Sequence, residues 1–140
     1  MRWTVLLVLC SAILPACSVA RTAHLYPVQG PLMQTSPNLA IPLTAGFSAS
    51  ITMPSGETFT GKSAPVDGGD VTANKTAPQW DRVYGAGFFT ANVLGAANRR
   101  IAALKGNRGA VLIVDFLYSP NGTAKGIAVD ESDNVFKMAL

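Results

Sequence analysis

Between residues 45 and 53, apolar and polar side chains alternate strictly. Ala45, Phe47, Ala49, Ile51 and Met53 are separated by Gly46, Ser48, Ser50 and Thr52. A period of two is the pattern of a strand with one buried face. Pro54, Ser55, Gly56 and Glu57 read as a turn, with proline presetting φ and glycine free to take positive φ. Residues 58–63 return as the partner strand, with Phe59 between threonines, so this region is expected to be a hairpin. A second hairpin is predicted from 101–105 and 110–118, joined by Gly106, Asn107, Arg108 and Gly109. The nearly continuous apolar run 111–114 marks a central strand. Asn121-Gly122 signals a turn into a strand over 123–129. Residues 130–134 turn again, and 135–140 form the last strand.

Three stretches are less regular. Residues 64–79 carry Pro65, Gly68, Gly69, Asn74 and Pro78 with no period, a connection of a length usually reserved for function or mobility. In 80–94, Gly85 and Gly87 oppose a long helix while Phe88, Phe89, Val93 and Leu94 need burial. An irregular strand with a bulge is expected there, with a short helix as the alternative. Pro27, Pro31, Pro37 and Pro42 forbid a helix before the first hairpin and favour extended backbone. That segment reads as a tether reaching about 25 Å as a flexible coil, with Leu25, Tyr26, Leu32 and Met33 as its contacts to the domain. The expected fold is mainly β: a small antiparallel open barrel or sandwich of five to six strands without internal repeat. The expected organisation is a signal peptide over 1–16, a lipid-anchored Pro-rich tether over 17–42 and the β-domain over 43–140.

The amino terminus has the layout of an export signal: Arg2, an apolar run from 3 to 9 extending weakly to Leu14, then small residues. The run is too short to span a bilayer, which takes about 20 residues. Leu14-Pro15-Ala16-Cys17 resembles a bacterial lipobox, in which leucine stands three places before the modified cysteine; Pro15 departs from the usual small residue. The resemblance implies cleavage between Ala16 and Cys17, a diacylglycerol on the Cys17 sulfur, and acylation of the new amine, palmitate being the type of chain expected. Each buried methylene contributes about 0.8 kcal/mol, so two or three chains on one residue hold where a single myristoyl barely does. Ser18 stands where Asp would favour inner-membrane retention, so the expected address is the periplasmic face of the outer membrane. A rival reading takes Ser18, Val19 and Ala20 as an ordinary cleavage site, releasing a soluble periplasmic protein that begins at Arg21.

Composition adds constraints. Hydrophobic residues make up 49% of the chain, a globular rather than disordered content. The formal charge of +3 includes Arg2, and the remaining charges are scattered. No basic stripe of the kind that tracks phosphates is present, which argues against a nucleic-acid partner. Of the two cysteines, Cys10 leaves with the signal and Cys17 takes the lipid, so no disulfide forms within a mature monomer.

Candidate chemistry is sparse. His24 is the only histidine and sits on the Pro-rich segment, a poor mount for a catalytic imidazole and too few ligands for a metal site. Asp115 lies inside an apolar strand and Asp81 beside Trp80. A buried carboxylate could serve as an acid, but the preferred reading turns Asp115 outward toward Lys125 or Arg99. Asp130, Ser132 and Asn134 superficially match positions 1, 3 and 5 of a calcium loop, yet Val135 replaces the required glycine. A polar turn is expected instead. Gly85-Ala86-Gly87 lacks the strand–loop–helix setting of a phosphate cradle. Arg99, Arg100, Lys105 and Arg108 are candidates for a modest positive face, though a solvated surface is the simpler reading. Trp80, Tyr84 and Phe88, with Arg82 among them, form the candidate interaction patch if they stay exposed, and core otherwise. No catalytic residue, metal or cofactor is assigned.

Taken together, the lipobox-like end, Leu25-Tyr26-Pro27, Gly30-Pro31, the Pro54-Ser55-Gly56-Glu57 turn, Trp80 and Tyr84-Gly85-Ala86-Gly87-Phe88 form a pattern. Gly126-Ile127-Ala128-Val129-Asp130 and Asn134-Val135-Phe136-Lys137 complete it. It resembles the small uncharacterised bacterial envelope lipoproteins. That resemblance implies a lipid-anchored structural or accessory component that contacts the membrane and an envelope protein, with no enzymatic activity. A binding module similar to the small periplasmic β-barrel inhibitors of lysozyme is the alternative.

Overall fold

Eight strands share one antiparallel sheet in the computed structural model, which describes residues 21–29, 39–43, 48–67 and 75–139. Strands β1 (Arg21–Gln29), β2 (Leu39–Leu43), β3 (Ser48–Thr52) and β4 (Thr58–Pro65) come first. Helix α1 (Ala77–Tyr84) and a π-helical turn (Phe89–Val93) follow. Strands β5 (Arg99–Gly106), β6 (Val111–Tyr118), β7 (Ala124–Asp130) and β8 (Val135–Ala139) complete the chain. The order across the sheet is β2-β1-β8-β7-β6-β5-β4-β3. The sheet curls until β2 and β3, its two edges, lie alongside each other. The signal, the cleavage site at Ala16 and the lipidation site at Cys17 lie outside the described residues.

The hairpins read from the alternating pattern are present. Thr52 pairs with Thr58 across β3 and β4, and the Met53 N–H donates to the Glu57 carbonyl at 2.8 Å. Gly56 takes φ 79°, the positive φ the turn demands. Lys105 pairs with Val111 across β5 and β6, and β6 lies inside the sheet between β5 and β7, as its apolar run requires.

The strand count exceeds the expected five to six because the Pro-rich segment supplies two strands. β1 pairs with both β2 and β8, so residues 21–29 belong to the sheet rather than to a tether. Proline is accommodated by position. Pro27 sits beside a register shift between Pro27 and Gln29, and Pro42 lies on edge strand β2. The other difference is α1, where an irregular strand was the first expectation. Pro78 falls in the first helical turn, where its missing N–H costs nothing, and Gly85 ends the helix at φ 111°.

A single curled sheet, rather than a sandwich, leaves two apolar faces to cover. Leu25, Ile51, Phe59, Leu104, Leu112, Val114, Phe116, Phe136 and Met138 fill the concave side. On the convex side Trp80, Phe89, Val93 and Ile127 form a second cluster under α1 and the π-helical turn. Fully burying one such side chain contributes about 1.5–3 kcal/mol. Strand β6 shows why both clusters exist: Leu112, Val114 and Phe116 face inward, while the alternate residue Asp115 falls on the face that the helix covers.

Candidate functional site

The convex layer collects most of the residues that the sequence singles out. Asp115 has no exposed surface and Arg99 only 2%. They lie on neighbouring strands, since Ile101 is the residue directly opposite Asp115 and Arg99 the diagonal one. The Arg99 guanidinium donates from Nε to Asp115 Oδ1 at 3.0 Å and from Nη2 to Oδ2 at 2.6 Å, a two-pronged charge-assisted pair. Thr76 Oγ1 donates to the same Oδ2 at 2.6 Å and Trp80 Nε1 at 2.9 Å. The Phe89 ring lies 5.0 Å from the guanidinium carbon, so the cation is also capped by an aromatic face. Asp115 does lie on the outer strand face with Arg99 as its partner, but that face is closed to solvent because α1 covers it.

Helix α1 is therefore fixed by polar as well as apolar contacts. Thr76 and Trp80 bond the carboxylate from successive turns of the chain. One turn further on, the Tyr84 hydroxyl reaches the carbonyls of Gly126 at 2.9 Å and Met138 at 3.1 Å. Burial pushes that hydroxyl up to about 12, with the bond to Gly126 acting the other way. Beyond the helix, Phe88 stacks on Trp80 at 5.9 Å and on Tyr84 at 4.9 Å between ring centres. Asp81 accepts the Phe89 N–H at 2.8 Å and so holds the entry to the π-helical turn.

The candidate patch thus divides. Trp80 is fully buried; Tyr84 and Phe88 are half-buried, with Lys137 over the Tyr84 ring at 5.3 Å and Lys125 over the Phe88 ring at 5.8 Å. Arg82 alone of the four is exposed. The carboxylates of Asp115 and Asp81 serve different donors and do not form a pair. Nor do the four cations named from the sequence make one face. Arg99 is buried, Arg100 donates to the Ser63 hydroxyl and carbonyl at 3.0 Å, and Arg108 sits in the β5–β6 loop. Thr76 is the member of the network that sequence reasoning passed over. Its signal was the spacing 76, 80, 84, 88, one helical face interrupted only by glycines.

Among the described residues, a cleft opens at each end of the sheet. One, of about 330 Å³, is bordered by Met53, Glu57, Phe59, Ala110, Glu131 and Asn134, among others. Its acidic side chains help to shape the loops. Glu57 accepts the N–H groups of Arg108 at 3.2 Å and Ala110 at 3.4 Å. Asp130 accepts those of Ser132 and Asn134 at 2.9 Å, the polar turn expected in place of a calcium loop. The other cleft, of about 270 Å³, lies beside Pro65, Asn98, Arg100 and Tyr118. His24 lies on β1, with its Nδ1 buried and unbonded and its ring 6.3 Å from that of Tyr26. Among the described residues no three His, Cys, Asp or Glu side chains come together as a metal would need.

No family model, curated protein or solved structure matches the chain.

Proposed function

We propose that this chain is a lipid-anchored protein of the bacterial cell envelope, held at the periplasmic face of the outer membrane by acyl chains on Cys17, and that its β-domain acts by contact with an envelope protein. The observation that carries the reading is the apolar run closed by Leu14-Pro15-Ala16-Cys17. Among the described residues no helix is long and apolar enough to cross a membrane, so any bilayer attachment through a helix would have to come from elsewhere in the chain. The convex layer supports a structural or accessory role. Its carboxylate, guanidinium and indole are engaged with one another, and they hold a helix onto a sheet.

Metabolic labelling with palmitate in the producing bacterium tests the reading. The wild-type chain takes up label and pellets with membranes, and Cys17→Ala abolishes both labelling and signal cleavage. A wild-type protein that remains unlabelled and aqueous, starting at Arg21, contradicts it and leaves a soluble periplasmic protein. The 330 Å³ cleft favours a second reading, a binding module similar to periplasmic inhibitors of lysozyme. Retention of an envelope hydrolase on the immobilised protein, lost when Glu57 and Phe59 are replaced, would support it.

A further inference from the structure

Three connections border the 330 Å³ cleft at the mouth of the concave side: the β3–β4 turn, the β5–β6 loop and the β7–β8 turn. The first two are fastened to each other. The Asn107 N–H donates to the Thr58 carbonyl at 2.9 Å, the Thr58 N–H donates back to Asn107 Oδ1 at 3.2 Å, and Arg108 Nη1 donates to the Ser55 carbonyl at 3.1 Å. The third is fixed by Asp130, whose carboxylate accepts the Ser132 and Asn134 N–H groups at 2.9 Å and the Asn134 side-chain amide at 2.8 Å. The cleft is therefore built in advance, and a ligand entering it has little loop to order.

Its interior and its rim differ in character. Met53 and Phe59 are buried members of the concave core, and Ala110 packs against that core. Around them stand Glu57, Asp130 and Glu131, and none of the residues bordering the cleft is a lysine or arginine. Asp130 engages both oxygens in its own turn. Glu57 engages only Oε1, toward the N–H groups of Arg108 and Ala110. The exposed Glu131 carboxylate has no hydrogen bond or ion pair among the described residues. The cations of the neighbouring chain point elsewhere. Arg108 is turned onto the β3–β4 turn by its bond to Ser55, and Lys105 alternates with the concave residue Leu104 and so lies on the convex side. Residues 30–38, 44–47 and 68–74, outside the described set, contain no lysine or arginine. An apolar interior of ligand size beneath two carboxylates with unused acceptor oxygens matches a cation carried on an apolar stem.

We propose, resting on the reading of the domain as a binding module, that this cleft receives an arginine side chain presented by a cationic envelope protein. The stem packs against Met53, Phe59 and Ala110, and the guanidinium donates to Glu57 Oε2 and to Glu131. Arginine suits the site better than lysine, because its head is more weakly hydrated and offers several donors in one plane to two carboxylates at once.

The test titrates N-acetyl-arginine methylamide, and its lysine and uncharged citrulline counterparts, into the isotope-labelled exported protein in nonionic detergent, with amide shifts followed by NMR. The arginine probe is expected to move the amides of Glu57, Ala110, Glu131 and Ser132 saturably, with lysine weaker and citrulline weaker by roughly tenfold. High salt should weaken the arginine probe. Glu131→Gln, an exposed change, should weaken it by about tenfold with the denaturation midpoint unmoved. Glu57→Gln keeps an oxygen for Arg108 and Ala110 and should have a similar effect. An arginine probe that moves no amide at this mouth, moves those beside Asn98 and Tyr118 instead, binds no better than lysine or citrulline, or is indifferent to both glutamate changes overturns the assignment. Retention of an envelope hydrolase on the immobilised protein is measured alongside. Retention that survives both glutamate changes overturns this inference and leaves the binding-module reading standing, whereas probe binding without any retention overturns that reading alone.

Discussion

Asp115 and Arg99 occupy sheet positions that apolar residues would ordinarily fill, and each is tolerable only because of the other. Removing one partner from a buried pair costs about 3–5 kcal/mol, because the remaining charge has lost its counterpart and its water. Asp115→Asn is therefore expected to lower stability by that order in chemical denaturation. A combined Asp115→Leu, Arg99→Met change should be less harmful than either single change. A single variant as stable as the wild type would show that the pair is not closed to solvent. Tyr84 offers a check from pH. Its hydroxyl is raised from 10 to about 12 in the folded protein, so the contribution of the protonated group is complete below pH 10 and disappears as pH rises through about 12. The denaturation midpoint should fall across that window, and Tyr84→Phe should remove the part of the fall that this group causes. Equal alkaline slopes in both proteins would contradict the assignment.

Helix α1 is the element whose loss would uncover the convex apolar cluster. Trp80 carries both kinds of contact, packing at zero exposure and donating to Asp115. Trp80→Ala is expected to cost about 3–5 kcal/mol from cavity formation, with a smaller further loss from the one donor removed from Asp115, which keeps Arg99 and Thr76. Native-state hydrogen exchange should show the amides of 77–93 opening before those of β6 and β7. The sequence explains why the hairpins were legible and this element was not. In β3 to β8, side chains face a core on one side or on both, and the pattern together with Gly56, Gly109 and Asn121-Gly122 fixes strands and turns. In 76–93 the helical spacing is broken by Gly85 and Gly87, which terminate α1 and redirect the chain instead of excluding helix. In β1 and β2, the prolines on their own suggest a tether. Pro27 beside a bulge and Pro42 on an edge are positions where a sheet accepts them. The burial of Asp115 was hidden for a related reason: no local pattern announces that a distant helix will cover one side of its strand.

At the scale of the molecule, the described residues form one sheet with a filled concave side and a helix-clamped convex side. Strand β1 starts at Arg21, so the envelope reading predicts a domain held directly at a bilayer rather than one swinging on a long tether. Everything in that picture depends on what is attached to Cys17. The most direct measurement is mass spectrometry of the amino-terminal peptide from the membrane fraction. The predicted result is a peptide that begins at Cys17 and carries a diacylglycerol-sized increment, with or without a further acyl chain on its amine. An unmodified amino terminus at Arg21, recovered from the aqueous fraction, would contradict the account.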